Sequence, residues 1–427
     1  MSMNHFIKQL FTIKDSNIQI QSFEETFYKS RKSIVIEGTL IRTYRRCPCC
    51  KDSTKQIVKN GKKISMILLN RSGNKRTYLR LKKQRYLCRA CKKYFTARTY
   101  LVAPFCFISK QIHYKILEEL TERQSIKAIG KHCDVSVTTV QRTLSALSSD
   151  IRQNLEYLPR CLLFDEFRSL STWHGKFSFS CMDGETGKLF EILPSRRKKD
   201  LVAFFMRFSL KARLGVHYIV TDMNAPYFSL VKECFPNAQV IVDRFHIVQH
   251  LNRFFDAVRK RVMKTLDQKD PIQAKQYRQL KSLFKLLLKS EDRLDYNTLT
   301  KRRNFNWRLL TETEVVDRLL KISPELKTAY RYYQALLTAY QEKDPDTFFQ
   351  LLRAMPGEVP LELHHIKKAF FKYEKGIRLA LLKKYSNARL ENLHTHIKVL
   401  KRISYGFRSF KNMRLRVFLL NGLISYT

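Results

Sequence analysis

Residues 216–250, VHYIVTDMNAPYFSLVKECFPNAQVIVDRFHIVQH, constrain the fold more tightly than any other stretch. The run His217–Val220 is short, apolar and β-branched, and it stops at Asp222. A helix-length segment, Pro226–Phe235, follows and is closed by a Pro236–Asn237 turn. A second apolar run, Gln239–Val242, then stops at Asp243. Two short apolar runs joined by a helix predict parallel strands buried on both faces. A carboxylate just past such a strand lies at the C-terminal edge of the sheet, where open α/β sheets build their sites. Each Asp is also placed to cap the helix after it.

Upstream, Leu162–Phe167 (LLFDEF) is an apolar run broken by Asp165 and Glu166. A carboxylate inside a buried strand is costly unless it is paired or bound to metal. Side chains alternate along a strand, so only one of these two acids faces a common site. Lys176–Cys181 and Lys188–Leu193 flank Asp183-Gly-Glu-Thr-Gly187, a turn that predicts antiparallel strands. Leu201, Phe204, Phe205 and Phe208 then mark one face of a helix. Three strands, helix, strand, helix, strand is the order of an RNase H-like domain. The first strand of that fold carries one Asp and the fourth ends at another, the places of Asp165 and Asp222.

A third carboxylate is sought on a later helix. In SNARLENLHTHIKVLKRISYGFRSF, Ser386 or Asn387 can cap a helix buried along Leu390, Leu393, Ile397 and Leu400. Glu391, His394, Lys398 and Lys401 line a neighbouring stripe, one acid followed by basic residues. Between Val248 and Tyr385 the pattern is almost entirely helical. Leu280, Leu283, Phe284 and Leu287 form one stripe, and Leu326, Ala329, Tyr330, Tyr333, Leu337 and Tyr340 another. This predicts a helical insertion between the fifth strand and the Glu391 helix. Its basic and aromatic residues, Trp307 among them, are candidates for DNA contact.

In the N-terminal third, strand-like Ser33–Thr43 leads to Cys47-Pro-Cys49-Cys50, and strand-like Thr77–Leu87 leads to Cys88-Arg-Ala-Cys91. Two such knuckles at the ends of β segments predict a zinc ribbon, with Zn2+ held by Cys47, Cys50, Cys88 and Cys91. Cys49 can substitute for Cys50. Cys106, Cys133, Cys161, Cys181 and Cys234 lie in apolar contexts and read as core. Ser109–Leu147 reads as three helices, the last capped by Ser136 and buried along Val137, Val140 and Leu144. Thr138, Thr139, Gln141 and Arg142 then point outward, as in the second helix of a helix-turn-helix.

Charge selects among partners. The 427 residues carry 81 Lys+Arg against 37 Asp+Glu, a net +44. That excess repels itself unless a polyanion is present, and nucleic acid is the expected one. The basic residues run along the whole chain rather than one amphipathic helix, which argues against a membrane surface. No apolar run reaches the roughly 20 residues that span a bilayer. The N-terminal MSMNHFIKQLF lacks a signal-peptide pattern. A cytoplasmic, nucleoid-associated protein is therefore expected, its cysteines reduced or metal-bound.

LLFDEF, TDMNAPY, FPNAQVIVDRFHIVQHLNRFFDAVR and the Glu391 segment together resemble the ISL-three family of bacterial insertion-sequence transposases, within the DDE superfamily. The resemblance covers nearly the whole length. Matched by position, it implies a catalytic and metal-binding triad of Asp165, Asp222 and Glu391, with Asp243 as the alternative second ligand. Lys398 and Lys401 are then expected to contact DNA, Lys398 resembling a basic residue of many DDE enzymes. The family also carries the Asp243-Arg-Phe-His246 segment. The implied chemistry is phosphoryl transfer by two Mg2+ (or Mn2+) ions about 4 Å apart. Oxygen ligands suit these hard ions, and thiolates suit zinc. The implied partners are double-stranded DNA, both transposon ends and target, and at least a second protomer to cut both terminal inverted repeats.

The expected architecture is multidomain α+β. Residues 1–102 form an N-terminal region with the ribbon, and 103–155 the helix-turn-helix. Residues 156–250 open the catalytic domain, 251–383 form the helical insertion, and 384–427 the final catalytic helices. A catalytically silent, transposase-derived DNA-binding regulator is the alternative. It would bind element ends without cleaving them.

Overall fold

The computed structural model describes residues 2–52, 56–149, 151, 153–172, 175–355 and 360–424. The chain divides into two compact units, Met1–Arg152 with Ile397–Thr427, and Gln153–His396.

In the first unit, helix α1 (Met3–Leu10) precedes strands β1 (Ile18–Tyr28), β2 (Arg31–Leu40), β3 (Ile57–Ser72), β4 (Lys75–Cys88) and β5 (Tyr94–Thr96). They form one sheet ordered β1-β2-β4-β3, with β5 also paired to β4. Ile18, Ile36, Ile67, Leu79 and Leu81 bury one face, together with Ile7 and Phe11. The region expected to be a small ribbon thus has a hydrophobic core beside its cysteines. Helices α2 (Lys110–Thr121), α3 (Ile126–His132) and α4 (Val137–Ala146) follow. The Ser125 and Ser136 hydroxyls accept from Ala128 N and Thr139 N, capping α3 and α4. Asp134, in the turn between them, is held at a positive φ of 55° and takes both Arg71 and Arg76. The hydrophobic stripe of α4 is shifted from expectation. Val137 is exposed, and Thr143 joins Val140 and Leu144 inside. Cys106 is exposed too, whereas Cys133, Cys161, Cys181 and Cys234 are buried as expected.

The second unit is built on strands β6 (Cys161–Thr172), β7 (Gly175–Asp183), β8 (Leu189–Leu193), β9 (Tyr218–Thr221) and β10 (Gln239–Val242), ordered β10-β9-β6-β7-β8. β10, β9 and β6 run parallel, while β6, β7 and β8 are antiparallel. Helices α5 (Lys198–Phe205), α6 (Leu210–Leu214) and α7 (Ala225–Cys234) accompany them. Phe164, Phe179, Phe205, Phe208 and Phe235 form an aromatic core with Leu201, Leu230 and Val231. Phe205 lies at its centre, with ring centroids 5.4 Å from Phe164 and 5.0 Å from Phe235.

The long helix α8 (Arg244–Thr265) leaves the sheet directly after β10. Then come α9 (Pro271–Ser282), α10 (Phe284–Leu287), α11 (Glu312–Leu320), α12 (Pro324–Gln341), α13 (Pro345–Arg353), α14 (Leu361–Lys372) and α15 (Glu374–Leu382). This insertion is not wholly helical, because β11 (Thr300–Arg302) and β12 (Arg308–Leu310) form a small hairpin within it. Helix α15 returns to cover β10. A Cβ on Gly376 would lie 3.0 Å from Val242 Cγ2 and 3.1 Å from Val240 O, tighter than ordinary contact, so glycine eases this approach.

Helix α16 (Ala388–Ile403) carries Glu391, and α17 (Phe410–Leu420) ends the described fold. Residues Ile397–Thr427 cluster with the N-terminal residues. The reason lies in α17. Arg416 is fully buried and donates to Glu122 O and Gln124 O, while Ser145 Oγ donates to Asn412 Oδ1. No helix among the described residues is long and apolar enough to cross a membrane.

Candidate functional site

Strand register sets the position of three carboxylates. Leu163 of β6 is level with Val220 of β9, and Thr221 of β9 with Val242 of β10. Carried past the paired residues, this register puts Asp165, Asp222 and Asp243 in one row. The row lies along three parallel strands, at the C-terminal edges of β9 and β10. Asp165 is opposite Ser180, and Glu166 is opposite Phe179 on the other face of the sheet. Glu166 is spent in an ion pair with Arg196. The alternation therefore sorts the two acids as the sequence suggested, with Asp165 turned to the face of α16.

His246 joins the row. Its Nδ1 lies 2.8 Å from Asp222 Oδ1 and 3.1 Å from Asp243 Oδ2. Ligand atoms of Asp222, Asp243 and His246 all fall within 4.8 Å of one another, a group able to hold a metal ion. Burial opposes a charged imidazole, but the bonds to the two carboxylates win and raise His246 to about 10. Asp165 is pushed up to about 7, first by burial and then by the charge of Asp222. Glu391 is raised by burial, then by Asp243, so the α16 carboxylate shares the field of the same cluster. The raised Asp165 and Glu391 carboxyls are held towards the neutral form by burial and by neighbouring acids, a state that a bound cation would relieve.

Side chains that the sequence reading left without a role hold this cluster. Asp243 is 1% exposed, and its Oδ1 accepts from Asn387 N at the start of α16. Asn387 Nδ2 in turn donates to Phe164 O. Arg244 donates to Ala380 O and Lys383 O, fixing the segment that enters α16. The Asp243-Arg-Phe-His246 segment is thus a staple between the sheet edge and the Glu391 helix. Its spacing gave a usable signal, since residues i and i+3 at a helix start share a face. His394, one turn beyond Glu391, is buried. Its Nε2 lies 2.7 Å from Ser180 Oγ and its Nδ1 3.4 Å from Asp165 Oδ2. The Tyr227 hydroxyl, from the TDMNAPY stretch, is buried and has no hydrogen-bond partner among the described residues.

The other expected residues divide. Sulfurs of Cys47, Cys50, Cys88 and Cys91 converge within 4.8 Å, with Cys47–Cys91 at 3.8 Å and Cys50–Cys88 at 3.7 Å. Cys49 is outside the group and gives only its N–H to Cys47 Sγ. The backbone N–H groups of Cys50 and Cys49 pull the Cys47 thiol down to about 6, against desolvation. A thiolate cage of this kind suits zinc. On α4, Thr138 and Arg142 are exposed, and Thr139 and Gln141 half-buried. Lys398 is exposed and Lys401 half-buried, both on the part of α16 beyond His396.

Comparison with known proteins agrees with this arrangement. A family profile described as Transposase, of the DDE type of ISL3 elements, matches residues 162–417. The chain belongs to the ISL3 family of transposases. A second profile, described as the zinc-finger of transposase IS204/IS1001/IS1096/IS1165, matches residues 43–91. The transposase for insertion sequence element IS1001 of Bordetella parapertussis is 24% identical over 314 residues, 70% of each chain. A Lactococcus lactis protein named ATP-dependent protease is 47% identical over 113 residues. The match covers 26% of this chain and 36% of that protein, so the chain spans about a third of the latter. Family membership rests on the profile that covers all four carboxylates.

Proposed function

We propose that this ISL3-family transposase binds the terminal inverted repeats of an insertion sequence and performs divalent-metal-dependent strand cleavage and strand transfer. The observation that carries the proposal is the row of Asp165, Asp222 and Asp243 with Glu391 in their common field. An RNase H-like reading of the second unit is supported by the strand order β10-β9-β6-β7-β8. A helix-turn-helix reading is supported by α3 and α4, joined through Asp134 and each capped by serine.

The donor set fits hard cations, because carboxylate oxygens dominate it and they are crowded before any cation enters. Asp165, Asp222 and Glu391 would hold Mg2+ or Mn2+. When bound, such ions supply the Lewis acidity that lets water or a DNA 3′-hydroxyl displace a phosphodiester oxygen in line. The chain's own residues do the positioning. Asp243 has both oxygens engaged, by Asn387 N and by His246, and is 1% exposed, which suits an anchor. Among the described residues the Asp222 side chain is engaged through His246 alone and is 25% exposed, which suits the ligand that meets substrate. His394 and Ser180 hold Asp165 against α16. The unit Met1–Arg152 would choose the DNA end, its zinc cage and α4 acting as reader, and a dimer or larger assembly would bring two ends together.

The test is cleavage of end-containing duplex with Mg2+ beside a binding assay. Asp165→Ala, Asp222→Ala and Glu391→Ala should each abolish cleavage while end binding persists. Cleavage retained by Asp222→Ala and lost in Asp243→Ala would transfer the ligand role to Asp243. Binding with no cleavage in the unaltered chain would point to the silent regulator.

A further inference from the structure

Strand β1 lies at one edge of the N-terminal sheet, and no strand among the described residues pairs with its outer side. Helix α1 guards only its beginning, where Asn4 Oδ1 accepts from Ile20 N. The register shifts between Ile20 and Ser22, and beyond that point Phe23, Glu24, Glu25 and Phe27 are exposed. An open strand edge templates pairing with another chain, so natural proteins guard it with lysine, proline or a covering element. The opposite edge, β3, carries Lys59, Lys62 and Lys63. β1 has no such guard. In a chain with 81 Lys+Arg, IQIQSFEETFY contains two glutamates and no Lys, Arg or Pro.

The surface beside this edge is apolar. Phe23 and Phe27 stand level with Ile36 and Lys32 of β2, on the face of the sheet where Ile36 joins the core under α1. They are nonetheless 58% and 76% exposed. Helix α1 presents an apolar arc of Met3, Phe6, Ile7, Leu10 and Phe11 at helical spacing. Only Ile7 and Phe11 of that arc enter the core, and Met3, Phe6 and Leu10 are left exposed. The five exposed side chains together offer on the order of 500 Å² of apolar surface. That is about the apolar share of the roughly 800 Å² that each partner gives to a standard interface.

Charge decides what covers this surface. DNA and anionic lipid are held by cations, and β1 offers none. Lys32 and Lys75 from the neighbouring strands both turn to Glu25, and Glu24 has no ion pair among the described residues. Two chains of net charge +44 repel over most of their surfaces, so they approach best through a face poor in positive charge. An edge strand can pair antiparallel with its own copy about a two-fold axis, which sets the same residues on both sides. We propose that two copies of this chain join β1 to β1 in one continuous sheet, with Phe23, Phe27 and the exposed side of α1 closing on one another. This rests on the transposase reading above, in which two protomers bring two DNA ends together, and adds the face that joins them.

Sedimentation equilibrium of the full-length chain tests it, free of DNA and in about 1 M salt, which screens repulsion and strips nucleic acid. Twice the 50.8 kDa chain mass is expected at micromolar concentration. Phe23→Lys and Leu10→Lys, both at exposed positions, should each weaken self-association by about 30-fold or more. Ile64→Lys, on the opposite edge of the sheet and 50% exposed, should change it by less than about twofold. Should Phe23→Lys lose the far-UV circular dichroism of the parent, Leu10→Lys, outside the sheet, decides alone. A monomer, or a dimer untouched by these two substitutions, overturns the inference, and Mg2+-dependent cleavage of end DNA by the same preparation leaves the transposase reading standing. A dimer that behaves as expected but neither binds nor cleaves end DNA keeps the β1 interface and removes the transposase reading. Monomers that float with neutral lipid vesicles, and cease to in Phe23→Lys, overturn the inference in favour of a membrane contact.

Discussion

Replacing Asp165 with asparagine should make the metal-free protein more stable at alkaline pH while destroying its chemistry. Burial and Asp222 raise this carboxyl from 3.8 to about 7. Below 3.8 both folded and unfolded chains hold the proton, and the group is neutral to stability. Between 3.8 and about 7 the unfolded chain ionises while the folded chain does not, so stability falls by about 1.4 kcal/mol per pH unit. Above 7 the full penalty is in force, about 4 kcal/mol at most and about 2–4 kcal/mol once neighbouring dipoles relax. Asparagine has nearly the same shape and can keep the acceptor that Asp165 Oδ1 offers to Glu166 N at 2.7 Å. It carries no charge to desolvate. Urea unfolding in EDTA at pH 5 and pH 8.5 tests this. Trp307 lies in Gln153–His396, so its emission reports this unit. The gap between Asp165→Asn and wild type should open from about 1–2 kcal/mol at pH 5 to about 2–4 kcal/mol at pH 8.5. Mg2+ should then stabilise the wild type and leave the variant unmoved. Equal destabilisation at both pH values would show that Asp165 is a structural anchor and refute the reasoning.

Other outcomes follow from the same structure. One zinc per chain is expected by elemental analysis, lost in Cys50→Ala and retained in Cys49→Ala. Asp134→Asn keeps a residue tolerant of positive φ but leaves Arg71 and Arg76 without their anion. It should cost the first unit about 1–3 kcal/mol in thermal unfolding. Arg71 and Arg76 hold the Asp134 carboxyl below 3.8 against desolvation, so this contribution is present above that value and lost as pH falls through the lowered one. Phe205→Ala should cost about 3–5 kcal/mol in the tryptophan-monitored transition, because the ring sits at the centre of the aromatic core. Gly376→Ala should cost about 1–3 kcal/mol by pushing α15 off β10, and a neutral result would show that the two can separate freely.

Much of this was legible in the sequence because the signals were local. Short apolar runs ending at Asp222 and Asp243 gave two parallel strands, and the serine caps gave the starts of α3 and α4. The two cysteine pairs marked a metal cage whatever fold surrounded it. The choice between Cys49 and Cys50 was not legible, since adjacent residues at a tight turn differ only in direction. Val137 was misplaced because the burial of a helix's first residue depends on what packs above it. The strand Ile18–Tyr28 escaped notice because five consecutive residues, Gln21–Glu25, face water and erase the two-residue alternation. The return of α17 to the N-terminal unit rests on a fully buried arginine, and composition alone assigns such a residue to the surface.

The least legible part is also what makes the site work. Strand ends could nominate Asp222 and Asp243, and a break inside an apolar run Asp165, but nothing local ties Glu391 to them across an insertion of more than a hundred residues. The tie is made by groups that look ordinary in sequence. Asp243 gives up its oxygens to Asn387 N and His246, Asn387 reaches back to Phe164 O, and Arg244 clasps the chain at Ala380 and Lys383. Each is a single polar contact between distant segments, carrying no periodicity that a window of sequence could reveal. Holding several like charges together without a cation is unfavourable, so the scaffold must be stiff before the cation arrives. An acid as deeply engaged as Asp243 therefore serves the site best by fixing where Asp222 and Glu391 stand.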